Sequence, residues 1–231
     1  MSALILLLLG AFAVDKTRDG DAINAGGEAQ GIKQYLKDFG TLLTNRGLML
    51  IAASSGFRTM TQAGLLTFLP VYLAYEMNYS PFAVGVCMTV LQIAGFIAAP
   101  VGGHFSDKWG RKRVITSSMV LSGVLIVGMA FVGKSMLFVL FVALVGFFLY
   151  AVRAVLQAWA VESVPKKLAG AGVGLQFGFT SLGAAISPAI FGVIADKLDI
   201  YKAFYFLAAI IVFANLLVLF MPPEHKKKHA A

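Results

Sequence analysis

The chain has 231 residues, a formal net charge of +8 and an apolar content of 59%, whereas charged residues make up only 13%. A soluble domain has about 45–50% apolar and about 25% charged residues, so too few polar residues remain here to cover a surface that faces water. The composition predicts a membrane protein and argues against a soluble enzyme or a nucleic-acid-binding protein. The single cysteine, Cys87, excludes an internal disulfide and argues against a thiolate metal site.

The first 47 residues differ from the rest of the chain. The apolar run at 3–14 would cover about 18 Å as a helix, short of the ~30 Å hydrocarbon core, and it lacks the basic flank and cleavage site of a signal peptide. We expect residues 1–14 to be the end of a truncated membrane helix, in a chain that lacks its natural N-terminal half or starts at an internal Met. Residues 15–47 are a predicted cytoplasmic linker, in which helical spacing of apolar residues from Ile32 to Leu43 indicates an amphipathic helix at the membrane interface.

Six apolar runs follow, each long enough to cross a membrane as a helix. They lie at 48–75, 81–104, 114–132, 136–161, 170–195 and 201–221. The predicted fold class is therefore all-α, a polytopic membrane helix bundle over residues 48–221, followed by a basic tail at 222–231.

Lysine and arginine residues are distributed unevenly between the two sides of this bundle. Most of them lie in the linker, in the segments at 105–113 and 162–169, and in the tail, which the alternation of spans places on one side. The positive-inside rule puts that side in the cytoplasm. We therefore expect a multi-pass protein of the plasma membrane, the inner membrane in a bacterium, with a cytoplasmic C-terminus.

The segment at 103–113 reads G-H-F-S-D-K-W-G-R-K-R. It resembles the major facilitator superfamily (MFS) signature called motif A, G-x3-D-[RK]-x-G-[RK]-[RK], at every defined position. We expect close helix packing at the first glycine, a tight turn with positive φ at the second, and an acceptor for basic side chains at the aspartate. The residues that match the motif are Gly103, Asp107, Lys108, Gly110, Arg111 and Lys112. Arg113 follows them and extends the basic cluster.

A second segment, from Glu162 through Pro165 to Gly170, looks like the E-x-x-P-x-x-x-x-G junction of the same family. The resemblance implies that Glu162 pairs with Arg111 or Arg113 and that the motif A segment helps to latch two halves of a transporter. Its position in the chain matches the loop after span 8, so the six spans would be spans 7 to 12, the C-terminal half.

The resemblance also implies what the protein does. An MFS transporter moves a small solute by alternating access between two six-helix halves, usually coupled to an ion gradient, with a proton as the expected ion. The implied partners are membrane lipid, a small-molecule solute, the coupling ion, and the missing N-terminal half or a second copy of this chain. A non-transporting half-bundle, either a fragment or a membrane assembly subunit, is the alternative.

Two arginines, Arg58 and Arg153, lie inside predicted spans, where a charge costs about 2.5–3.5 kcal/mol on insertion scales. Mid-span Asp and Glu are absent, and a guanidinium group matches carboxylate or phosphate oxygens, so both arginines are candidates for binding an anionic solute. The alternatives are a structural salt bridge for Arg58 and snorkelling to the interface for Arg153. Gln62 and Gln157 lie one turn after these arginines and are further substrate-binding candidates. The other mid-span polar residues, Gln92, Gln176 and Asn215, are either substrate contacts or partners in interhelical hydrogen bonds, with Gln92 and Gln176 the better substrate candidates.

Glycines at 170, 174 and 178 recur at helical spacing in the fifth run, and Gly183, Pro188 and Gly192 follow them. They indicate either plain helix packing or a helix beside the path along which the two halves rock. The substrate itself stays open between drug-like and organic-anion solutes.

The segment at 128–135 matches the P-loop pattern G-x4-G-K-[ST], but a P-loop needs a soluble strand–loop–helix context, and apolar runs flank this one. We reject nucleotide binding. All three histidines lie outside the span centres, so no enzyme chemistry, metal site or cofactor is expected.

Overall fold

A computed structural model describes residues 40–133, 135–197 and 200–221. The chain divides into two compact units, Met1–Thr41 and Leu42–Ala231, and all the helices named here belong to the second. The predicted truncated helix at 1–14, most of the linker and the tail at 222–231 lie outside the described residues.

The described part is all-α, as the apolar runs predicted. Its six long helices are α1 (Arg46–Tyr75), α2 (Pro81–Trp109), α3 (Arg111–Val132), α4 (Met136–Glu162), α5 (Ala169–Lys197) and α6 (Ile200–Leu219), with one 3-10 turn at Lys166–Leu168 before α5.

Sequence signals mark where two of these helices begin. The side chain of Asn45 accepts a hydrogen bond from the backbone N–H of Leu48 and caps α1, and its amide donates to the carbonyl of Ser163 at 3.2 Å, which ties the start of α1 to the end of α4. Ser80 caps α2 in the same way, with Pro81 at the first helical position.

Five of the described helices, α2 to α6, are long and apolar enough to cross a membrane. The sixth, α1, has 30 residues, which corresponds to about 45 Å, but it is less apolar because it carries polar side chains that the bundle buries. These are Ser54, Ser55, Arg58, Thr61 and Gln62. The chain is therefore an integral, multi-pass membrane protein.

The segment at 105–113 is not the loop that the sequence suggested. Helix α2 continues through it to Trp109, and α3 begins at Arg111, so the turn consists of Gly110 alone. Gly110 has a φ of 96°, a conformation that glycine adopts without steric cost. The positive φ expected at this glycine is confirmed, and the helix continues because no glycine or proline interrupts the residues between Gly103 and Gly110.

Close approach between helices occurs at other glycines than expected. A Cβ at Gly103 would meet no atom within 4 Å, whereas a Cβ at the preceding residue, Gly102, would lie 2.9 Å from the Cβ of Ala151 on α4. A Cβ at Gly146 would overlap the carbonyl oxygen of Leu91. Helices α2 and α4 therefore pack backbone to backbone, and the close packing predicted at Gly103 belongs to its neighbour.

Helices α1 and α5 form a second closely packed pair. A Cβ at Gly183 would overlap the carbonyl oxygen of Gly56 and lie 3.0 Å from its carbon, and the hydroxyl of Ser187 donates to the carbonyl of Met60 at 2.8 Å. The glycines at 170, 174 and 178 have open space instead, with nothing within 4 Å of an added Cβ. In the described part of the chain, those three glycines therefore leave one face of α5 uncovered.

An aromatic cluster joins α1, α4 and α6 near the C-terminal end of α1. The ring of Tyr72 packs edge-on against Phe204, with centroids 4.9 Å apart, and stacks on Phe138 at 5.8 Å. All three side chains are at most 2% exposed, so they close one end of the bundle core. The buried polar residues of α1 lie nearer the middle of that helix.

Candidate functional site

A cavity of about 360 Å³ lies between α1, α4 and α5. Five of the six side chains proposed as substrate contacts line it: Arg58, Gln62, Arg153, Gln157 and Gln176. The sequence placed these residues on three separate helices, and the fold brings them to one site.

Arg58 is almost fully buried, at 2% exposure. Its Nη1 donates to Gln62 Oε1 at 2.8 Å and to the carbonyl oxygen of Leu149 on α4 at 2.9 Å, and its Nη2 donates to Thr59 Oγ1 at 2.9 Å. A guanidinium group has five N–H donors, so two remain after these bonds. Neutral oxygens thus hold Arg58 in place, and part of its donor set stays available to the cavity that it lines.

Arg153 is in a different state. Its side chain is exposed and lines the same cavity, and within the described ranges its guanidinium has neither a hydrogen-bond acceptor nor an ion-pair partner. Arg153 therefore presents a guanidinium group without a described partner to the cavity.

Neutral hydrogen-bonding groups complete the cavity wall. Gln176 is 5% exposed and its Nε2 donates to the hydroxyl of Ser55 at 2.8 Å, which joins α5 to α1. The other polar residues of the wall are Thr59, Thr180 and Ser181, and none of the described lining residues is an aspartate or glutamate. The cavity combines positive charge with hydroxyl and amide groups.

The hydroxyl residues of this wall were not predicted individually. Ser55 lies three residues before Arg58, and Thr180 lies four residues after Gln176, so each shares a helix face with a residue that was predicted. That spacing was the available signal, but serine and threonine are common in membrane helices, so the signal by itself was weak.

Gln92 does not line the cavity. It is exposed on α2, and its side-chain oxygen accepts a hydrogen bond from the hydroxyl of Tyr150 on α4. Asn215, the other polar residue considered from the sequence, is buried in α6, and its Oδ1 has no hydrogen-bond partner in the described part of the chain.

The turn between α2 and α3 holds a group of charges. Arg111 contacts Glu162 on α4, with Nη2 and Oε1 2.9 Å apart, and Asp107 one turn earlier in sequence at 3.6 Å. The pairing of Glu162 with a motif A arginine, which the resemblance implied, is present, with Arg111 as the partner. Lys112 donates to the carbonyls of Leu219 at 2.7 Å and Met221 at 3.0 Å, at the end of α6. The turn is thereby tied to both α4 and α6.

A bundle of membrane-crossing helices around a cavity lined by two arginines defines a polytopic membrane protein with an internal polar cavity. Comparison with known protein families gives the particular family. The model of the Major Facilitator Superfamily matches residues 48–231, and the chain belongs to that superfamily.

Several curated proteins resemble the chain. A phosphoglycerate transporter protein of Salmonella typhimurium is 29% identical over 74% of this chain and 38% of its own length. A probable galactarate/D-glucarate transporter of Pseudomonas putida is 33% identical over 70% and 37%, and a probable hexose phosphate transport protein of Chlamydia pneumoniae is 28% identical over 80% and 41%. These relatives are transporters rather than enzymes, and the chain spans about two fifths of their length.

Proposed function

We propose that the chain forms one wall of a transporter for small, hydroxylated organic anions that works by alternating access. The observation that carries the proposal is that Arg58 and Arg153 line one cavity in which no described lining residue is acidic. Two like charges in a membrane bundle are costly without a counter-charge, and an anionic solute would supply it. Efflux of uncharged or cationic drugs is disfavoured because such a solute would leave both arginines without a counter-charge.

The names of the relatives support the same class of substrate. Phosphoglycerate, galactarate, glucarate and hexose phosphate all combine a carboxylate or phosphate group with hydroxyl groups. In this proposal Arg153 and the free donors of Arg58 bind the anionic group. The amides of Gln62, Gln157 and Gln176 and the nearby hydroxyls bind the hydroxylated body of the solute.

Binding to the purified chain in lipid nanodiscs tests this proposal. We expect D-glucarate and 3-phosphoglycerate to bind and to raise the thermal unfolding midpoint of the chain, because a ligand that binds only the folded state stabilises it. Sorbitol, which has the hydroxyl groups without the charge, is the control and should cause no shift. Equal binding of sorbitol and the two anions would contradict an anion site.

Alternating access requires a second six-helix bundle, and we propose that one covers the open faces of α1, α4 and α5. Exposed Arg153 and the uncovered glycines of α5 support this placement, as does the greater length of the relatives. The second bundle is an N-terminal half or another copy of this chain, and the coupling residue, with a proton as the expected ion, would belong to it.

Native gels combined with measurements of flux into vesicles distinguish a half-transporter, a dimer of this chain and a non-transporting fragment. A monomer without flux favours the fragment.

We further propose that the α2–α3 turn faces the cytoplasm of a bacterial inner membrane, with the C-terminus on the same side, and that the Arg111–Glu162 pair stabilises one state of the transport cycle. The basic residues of the turn support this orientation. A cysteine introduced at Trp109, which is 57% exposed, should react with an impermeant maleimide in inside-out vesicles but not in sealed cells. The natural Cys87 is buried and gives little background.

Replacing Glu162 with glutamine should change the rate of transport while affinity and stability stay near wild type. The glutamate side chain is 41% exposed, and an exposed ion pair contributes only about 0.2–1 kcal/mol to stability. That amount shifts a balanced equilibrium between two transport states by up to about fivefold. Initial uptake rates and binding curves measure the two effects. Glu76→Gln, at the opposite end of the bundle, is the control, and an unchanged uptake rate in Glu162→Gln would contradict the role.

A further inference from the structure

The strongest unexplained feature near the cavity is the contact between Tyr150 on α4 and Gln92 on α2. The hydroxyl of Tyr150 donates to Gln92 Oε1. The ring lies over Gly95, where an added Cβ would be only 2.5 Å from Cδ2 and 2.7 Å from Cγ. Gln92 and Gly95 are three residues apart and share one face of α2, so the two together hold the tyrosine at its ring and at its hydroxyl.

Tyr150 also occupies a particular position on α4. The residue before it, Leu149, provides the carbonyl oxygen that accepts a hydrogen bond from Arg58 at 2.9 Å. The residue three positions after it, Arg153, is the free cation of the cavity. A rotation of α4 about its axis would therefore move the acceptor that holds one arginine and would move the other arginine as well.

The glycine contacts between α2 and α4 bring the two backbones together but anchor no side chain of α4 at its far end. Gly146 against Leu91 and Gly102 against Ala151 let the two backbones approach and set the distance between the helix axes. A long side chain anchored at its far end adds resistance to rotation. Of the contacts described between these two helices, the one from Tyr150 to Gln92 has that form.

We propose that Gln92 and Gly95 anchor Tyr150 as a positioning residue that sets the geometry of the Arg58–Arg153 pair. Gln92 then acts on the anion site through Tyr150 and the backbone of α4, without touching the solute. The effect on binding rests on the proposed anion transport, whereas the effect on Arg58 does not. Misplacing an arginine weakens its hydrogen bond to a bound anion, and losing one such bond lowers affinity by about tenfold or more, so the anchor matters more for affinity than for folding.

The test compares Tyr150→Phe, Gln92→Leu and the double variant with Thr89→Val. Thr89 lies one turn before Gln92 on α2, is exposed, and uses its hydroxyl on the carbonyl of Gly85 in its own helix. We expect each single variant to bind D-glucarate about tenfold more weakly with an unchanged unfolding midpoint. The double variant should be no weaker than either single variant because all of them break the same contact. Thr89→Val should bind like wild type.

A second readout needs no ligand. Phenylglyoxal modifies accessible arginines, and mass spectrometry quantifies modification at Arg58 relative to Arg153 in the same molecule. In wild type, Arg58 is protected by its burial and by its bond to Leu149. We expect this ratio to rise several-fold in Tyr150→Phe and in Gln92→Leu, and not in Thr89→Val.

The two readouts keep the two proposals separate. If wild type binds no anion, the proposed function fails and the arginine ratio alone decides the positioning role. An unchanged ratio in Tyr150→Phe, or additive losses of affinity in the double variant, would overturn the positioning role whatever the substrate is.

Discussion

Replacing Arg153 with glutamine is expected to weaken anion binding by about one to two orders of magnitude while the protein stays fully folded. A hydrogen bond to a charged group contributes about 1.5–3 kcal/mol, which corresponds to a loss of about 10- to 150-fold in affinity. Stability should not change, because the side chain is exposed and no described residue contacts its guanidinium as a hydrogen-bond or ion-pair partner. Titration of D-glucarate against the purified variant measures the effect.

Two further variants sharpen this test. Arg153→Lys keeps the charge but loses the planar fork that binds a carboxylate or phosphate through two parallel bonds, so it should restore binding only in part. Arg46→Gln removes an exposed arginine at the start of α1, away from the cavity wall, and should bind like wild type. If Arg153→Gln binds the anion as well as Arg46→Gln does, the charge of Arg153 has no role in the site.

Replacing Gly183 with alanine is expected to prevent α1 and α5 from packing. The new Cβ would overlap the carbonyl oxygen of Gly56, and because that atom belongs to a helix backbone, the two helices would have to separate. Separation would also strain the bonds from Ser187 to Met60 and from Gln176 to Ser55. Overpacking of this kind costs about 1–3 kcal/mol or more, so we expect a lower unfolding midpoint and a lower yield of monodisperse protein in detergent.

Gly178→Ala is the matched control on the same helix. An added Cβ there meets nothing within 4 Å, and alanine favours a helix over glycine by about 1 kcal/mol, so this variant should be at least as stable as wild type. Thermal unfolding followed by size-exclusion chromatography compares the two. Equal unfolding midpoints for Gly183→Ala and Gly178→Ala would contradict the backbone packing described for α1 and α5.

The contrast between Gly178 and Gly183 also shows where sequence reasoning stopped. Small residues at helical spacing predict a close helix contact, but the spacing does not say which glycine meets a partner. The contact at α5 lies at Gly183 and not at the predicted stripe, and the contact at the end of α2 lies at Gly102 and not at Gly103. A one-residue shift rotates the contact by about 100° around a helix, and only the packed neighbour decides between the two positions.

The two arginines also separate what the sequence predicted from what only the tertiary structure decided. Their cost in a membrane was enough to mark Arg58 and Arg153 as functional candidates from the sequence. Only the tertiary structure shows that Arg58 is held by hydrogen bonds and that Arg153 has no described partner, because a partner such as the Leu149 carbonyl is 91 residues away from Arg58 in the chain. Gln92 was marked for the same reason as Gln176, and only the packing of α2 on α4 separated it from the cavity.

The sequence by itself determined that this protein is an α-helical membrane bundle of the major facilitator type, because apolar run length, the placement of basic residues and the 103–113 signature are local properties of the chain. The tertiary structure decided which polar residues share the cavity, which arginine is free and where helices touch backbone to backbone. Those features depend on the rotation and register of each helix against its neighbours, and many residues of the same polarity would satisfy the local pattern equally well.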